Sequence, residues 1–245
     1  MRDISGVLKK LMSNIEIIPA IMPRDFADLK SKVARVAPFV SYVQLDIMDG
    51  DFVPEKTWPY FGEIMDFKKL QREEMGLPEW EKINYEIDLM VSSPDRDVFE
   101  WVTAGASRVI LHLESHPNIK NIIEQLYQRY GRFGENETAP EIGLAIGVET
   151  PLSKVEPFIP LVNFIQQMGI ENIGYQGEPF SEKVIARIKE LRKKYPRIII
   201  SVDGGVDADS APHLVEAGVT RLVSGSYIFN AVDIKEAIDI LKQNA

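Results

Sequence analysis

Four short segments set acids, a histidine and methionines at every second position. Gln44, Asp46 and Met48 alternate with Val43, Leu45 and Ile47; Glu86, Asp88 and Met90 alternate with Tyr85, Ile87 and Leu89. His112 and Glu114 interleave with Val109, Leu111 and Leu113, and Ser201 and Asp203 with Ile198, Ile200 and Val202. A period of two is the signature of a strand with one face packed on helices. The other face must reach a place that tolerates carboxylates, because unpaired buried charge is expensive. One shared site at the strand ends is the economical solution. Two carboxylates on separate strands, Asp46 and Asp203, suit proton transfer on both faces of one carbon, which amounts to epimerisation. Each acid by itself also reads as a loop cap or half of an ion pair. His112 reads as a buried structural histidine. Met48, Met90 and Met168 read as the lining of a cavity top or as core filler. No lysine stands at the end of any of these strands, which disfavours Schiff-base chemistry.

Three glycine-bearing turns supply a second kind of chemistry. Gly174-Tyr175-Gln176-Gly177, Gly204-Gly205 and Gly225-Ser226 follow the sixth, seventh and eighth predicted strands. Backbone N–H groups in such turns close on phosphate oxygens without basic side chains. The same residues also read as tight connections and nothing more.

The elements that must position these groups alternate strictly. Strands are predicted at 15–21, 42–48, 84–90, 108–114, 142–147, 162–168, 197–203 and 220–224. Helices are predicted at 25–36, 62–72, from Ser93 or Asp95 to Gly105, 118–130, from Thr150-Pro151, 181–194, up to Gly218, and 232–243. A Pro- and aromatic-rich loop at 51–61 is long for its place. Strand–helix alternation implies a parallel sheet, and eight units imply a single (β/α)8 TIM barrel domain over 1–245 with a short N-terminal capping helix at 3–13. A doubly wound sheet is the alternative, but it gathers the second, third, fourth and seventh strand ends less naturally. No internal repeat of useful strength is visible.

Composition narrows the function classes. The net charge of −9 argues against non-specific nucleic-acid binding and against anionic membrane surfaces. With no cysteine in the chain, disulfides, thiolate catalysis and cysteine-bound zinc are excluded. No apolar run is long enough to span a bilayer, and Met1 to Asn14 has no signal-type apolar core. These features fit a cytoplasmic protein.

The ordered motifs resemble the ribulose-phosphate 3-epimerase family from about residue 16 to 230. Leu45-Asp46-Ile47-Met48-Asp49-Gly50-Asp51-Phe52-Val53-Pro54 is similar to its most distinctive segment. Ile18-Pro19-Ala20-Ile21, Asp88-Leu89-Met90-Val91, His112-Leu113-Glu114, Gly174 to Phe180, Val202 to Val206 and Gly225 to Phe229 fit the others. The resemblance implies a barrel of the ribulose-phosphate-binding type, a phosphorylated ketose substrate, a divalent metal, a homo-oligomer, and Asp46 and Asp203 as acid and base. It also exposes departures. Gln44 and Asp88 stand where the family has its two metal-binding histidines, Ala20 replaces a serine, and Gln176 replaces a glycine. Gln44, Asp46, Asp88 and Asp203 form an all-oxygen set that suits Mn²⁺ or Mg²⁺ better than Zn²⁺, or holds no metal. A catalytically inactive or repurposed phosphosugar-binding barrel is the alternative function.

Overall fold

The computed structural model describes residues 15–136, 138–175 and 177–243. The predicted capping helix at 3–13 and Gln176 lie outside the described residues. Eight strands are joined in the order β1 to β8 as a closed barrel. They are β1 (Glu16–Ile21), β2 (Tyr42–Met48), β3 (Asn84–Met90), β4 (Arg108–His112), β5 (Glu141–Ile146), β6 (Phe164–Met168), β7 (Ile199–Asp203) and β8 (Arg221–Ser224). The helices are α1 (Phe26–Val36), α2 (Met65–Gln71), α3 (Pro94–Thr103), α4 (Ile119–Tyr130), α5 (Leu152–Val155), α6 (Lys183–Lys194), α7 (Ser210–Ala217), α8 (Ser226–Phe229) and α9 (Ile234–Gln243). This is the expected (β/α)8 TIM barrel. By internal packing the chain divides into two compact units, Pro19–Leu144 and Ala145 onward together with the strand residues up to Ile18.

Local chemistry sets the boundaries. Asp25 caps α1 by accepting from the Asp28 backbone N–H at 2.7 Å, which satisfies one of the donors a helix start leaves open. Pro94 opens α3, where its missing N–H costs nothing. The segment after Thr150-Pro151, expected as one helix, is a single turn, α5, followed by a 3-10 stretch at Glu156–Leu161. Pro157 and Pro160 lack the N–H groups that an α-helical ladder needs there. The eighth strand is followed by the extra turn α8 before the final helix.

Within the first unit, Val43, Leu45, Ile47, Ile87, Leu89, Val109 and Leu111 are all 0% exposed. Each such side chain taken from water contributes about 1.5–3 kcal/mol. The opposite strand face is polar and equally buried. Its register rows run Gln44–Glu86–Arg108 and Asp46–Asp88–Ile110. The second unit carries the rows Gln166–Ser201–Arg221 and Met168–Asp203–Val223. Arg108 bridges Glu86 at 3.5 Å and Glu141 at 3.3 Å, with its guanidinium 3.5 Å from the Tyr42 ring centroid. Arg221 meets Glu16 at 3.1 Å, with its guanidinium 4.6 Å from the Phe164 ring centroid. Among the described residues, no helix is long and apolar enough to cross a membrane.

Candidate functional site

Asp46 and Asp88 sit side by side near the C-terminal ends of β2 and β3, and both are buried. Each carboxylate is met by a side-chain nitrogen. Gln44 Nε2 donates to Asp46 Oδ1 at 2.7 Å, and His112 Nε2 lies 2.9 Å from Asp88 Oδ1. Asp203 ends β7, also buried, with Gln166 Nε2 3.5 Å from its Oδ2, at the edge of hydrogen-bond reach. Ser201 Oγ donates to Gln166 Oε1 at 3.3 Å, which turns that amide's nitrogen toward Asp203. Asp46 and Asp88 are register neighbours in the first unit and Asp203 closes a strand of the second; all three are buried carboxylates, a type of group able to hold a cation. Neighbouring carboxylates such as Asp46 and Asp88 repel one another unless a cation or protons offset the charge.

The loop after β2 folds back on its strand. Thr57 Oγ1 donates to the Asp46 carbonyl at 2.7 Å and accepts from the Met48 N–H at 2.9 Å. Asp49 Oδ1 accepts the N–H groups of Asp51 and Phe52, and Asp49 Oδ2 accepts the N–H and hydroxyl of Ser92. Burial pushes the Asp49 carboxyl up, but the donors from Ser92, Phe52 and Asp51 outweigh it and hold the group below its ordinary value. Further along, the Tyr60 hydroxyl bonds Asp97 on α3, and burial with that carboxylate pushes the phenol well above its usual range. Trp58 of the loop meets Trp101 edge to face and Phe67 packs tilted on Trp101, forming one aromatic knot, with Trp58–Trp101 centroids 6.0 Å apart and Phe67–Trp101 centroids 4.6 Å apart.

The late loops of the second unit close on each other. The Gly169 N–H donates to the Asp203 carbonyl at 2.6 Å, and the Ser181 N–H donates to the Gly169 carbonyl at 2.8 Å. A Cβ on Gly169 would stand 2.0 Å from the Gly204 carbonyl oxygen. Gly205 has φ +66°, and a Cβ there would meet the Phe180 backbone at 2.7 Å. No side chain fits at either place, so the turns after β6 and β7 bring backbone against backbone. Gly174 and Gly177 lie in the first of these turns, with Tyr175 beside them largely exposed. Gly225 precedes α8, which Ser226 opens.

Met48 and Met90 are register neighbours and Met168 is paired with Asp203; all three are buried. Glu114, expected inward, is exposed: β4 stops at His112 and the chain turns before it. Sequence reasoning missed Gln166 and the part His112 plays. Gln166 shares the alternation of Met168, which was the available signal. The pairing of His112 with Asp88 depends on β3–β4 register, which no single segment carries. The buried arginines Arg108 and Arg221 were missed as well.

The model of the Ribulose-phosphate 3 epimerase family matches residues 16–229. The chain is 28% identical over 234 residues to a ribulose-phosphate 3-epimerase of Schizosaccharomyces pombe, covering 95% of each chain. It is 31% identical over 235 residues to that of Chlamydia trachomatis, covering 92% of each. Among solved structures, 3-hexulose-6-phosphate synthase from Salmonella typhimurium shares the fold, with a TM-score of 0.65 at 12% identity over 94% of this chain and 98% of that one. A family match over nearly the whole barrel, with Asp46 and Asp203 present at the ends of β2 and β7, leads to one conclusion: the chain belongs to the ribulose-phosphate 3-epimerase family, a family of isomerases.

Proposed function

We propose that the protein epimerises a pentulose 5-phosphate, ribulose 5-phosphate by likeness to its named relatives, at the carbon next to the ketone. The observation that carries this is the pair of buried carboxylates, Asp46 and Asp203, at the ends of two strands of one closed barrel. One carboxylate takes the C3 proton, and the C–H electron pair passes into an enediolate. The other delivers a proton to the opposite face, so configuration inverts while atoms and charge balance. In the reverse direction the two exchange roles. Gln44 and Gln166 orient the acids through their amide N–H groups. Met48, Met90 and Met168 wall the site and exclude water, which strengthens every charge interaction inside. Backbone N–H groups of Gly174, Tyr175 and Gly177, of Gly204 and Gly205, and of Gly225 and Ser226 hold the phosphate.

The donor set fits a hard divalent cation. Asp46, Asp88 and Asp203 supply oxygen alone, with Gln44 the candidate fourth group, and this favours Mn²⁺ or Mg²⁺ over Zn²⁺. Such a cation supplies a Lewis acid that favours negative charge on the sugar oxygens. The test is a ribulose 5-phosphate epimerase assay with metal analysis. Turnover with Mn²⁺ or Mg²⁺, abolished in Asp46→Asn and Asp203→Asn, supports the proposal. Inertness toward a panel of ketose phosphates, with and without these metals, refutes it. One feature favours a second function: by the family resemblance, Gln44 and Asp88 stand where two metal-binding histidines are expected. Phosphosugar binding without turnover would select a non-catalytic binding protein.

A further inference from the structure

Asp88 and His112 are both wholly buried, with His112 Nε2 2.9 Å from Asp88 Oδ1. The imidazole also neighbours Phe52 from the loop after β2, with ring centroids 5.4 Å apart and planes tilted by 57°. We infer that His112 is the positioning residue of Asp88, fixing which of its two oxygens is presented to a cation. The inference rests on the reading of Asp46, Asp88 and Asp203 as the cation-holding group.

A carboxylate at a strand end has two nearly equivalent oxygens and a soft terminal torsion. A donor anchored on Oδ1 fixes that torsion and directs Oδ2 elsewhere. The imidazole packs beside the Phe52 ring, so the chain of contact runs from loop to histidine to carboxylate. In many metal sites an imidazole ligand is oriented by a carboxylate behind it. Here the order is inverted, with the carboxylate in front and the imidazole behind. Gln44 does the same for Asp46 at 2.7 Å, so orienting donors serve two neighbouring acids of the row.

The test uses Mn²⁺ alone as the probe, titrated into the metal-stripped full chain by calorimetry and electron paramagnetic resonance. His112→Phe keeps the ring volume and removes the donor; it is expected to weaken Mn²⁺ binding about 10- to 100-fold and to alter the bound-Mn²⁺ spectrum. His112→Gln, which retains an N–H donor of similar reach, is expected to recover most of the affinity. Unchanged affinity and spectrum in both variants, while Asp203→Asn loses binding, would overturn the role of His112 and leave the cation-holding group standing. A wild-type protein that takes up no Mn²⁺ would overturn both. If circular dichroism shows that His112→Phe does not fold, His112→Asn serves as the shorter partner to His112→Gln. Weaker binding in the Asn variant alone supports the inference, and equal, wild-type affinity in both overturns it.

Discussion

Ser92 donates twice to one oxygen of Asp49, from its backbone N–H at 2.7 Å and from its hydroxyl at 2.8 Å. This ties the chain just past β2 to the chain just past β3, next to the two strands that carry Asp46 and Asp88. Because the Asp49 carboxyl is held below its ordinary value, folding favours its ionised form. The stabilisation is fully present above the unfolded pKa, near 3.8. It is lost as the pH falls through the lowered folded-state value. Asp49→Asn is expected to flatten the fall in stability below about pH 4, and Asp49→Ala to cost about 1–3 kcal/mol at neutral pH. Urea unfolding between pH 3 and pH 7 measures both.

Two acids serving two faces of one carbon leave an isotopic signature. In D₂O the wild-type protein should exchange the C3 hydrogen of both epimers. Asp46→Asn and Asp203→Asn should each abolish exchange in a different epimer, with interconversion falling by about 10²- to 10⁴-fold. Proton NMR of the sugar resolves the two cases. Loss of exchange in both epimers from the same single variant would point to one base instead.

Gly205 tests the phosphate grip. An alanine methyl would meet the Phe180 backbone at 2.7 Å in a left-handed conformation, a strain of about 1–3 kcal/mol. Gly205→Ala should therefore open the contact between the turns after β6 and β7. The expected kinetic result is a raised KM for the phosphorylated substrate with a smaller change in kcat. The expected thermal result is a lowered melting temperature.

The aromatic knot is a prediction about stability alone. Trp101 is 1% exposed and touches both Trp58 and Phe67. Trp101→Ala should cost about 3–5 kcal/mol and loosen the footing of the loop after β2. Denaturant midpoints, with the fluorescence of the remaining tryptophans as a local probe, report both effects.

Much of the barrel is legible in the chain. The alternation around Val43, Ile87 and Ile200 marks strands because burying one face of a pleated ribbon forces a period of two. The same alternation, by spacing alone, puts Asp46, Asp88 and Asp203 on polar strand faces. Pairing is not legible. The partnership of His112 with Asp88 and the row joining Gln44 to Arg108 depend on the offset between neighbouring strands, a relation no single segment records. The misplaced Glu114 has the same origin, since an alternating pattern does not say where a strand stops.

The two sets of register rows carry a last consequence. Read station for station, the row Gln44–Glu86–Arg108 of one unit corresponds in register order to Gln166–Ser201–Arg221 of the other, and Asp46–Asp88–Ile110 to Met168–Asp203–Val223. In each unit the first strand of the row begins with an aromatic ring under an arginine, Tyr42 with Arg108 and Phe164 with Arg221. Each unit thus closes its glutamine row with a buried arginine set against a ring. Asp203 finds its counterpart in Asp88, whereas Asp46 answers to a thioether, Met168. The proposed acid and base therefore stand at different stations, Asp46 on the first strand of its row and Asp203 on the second strand of its own.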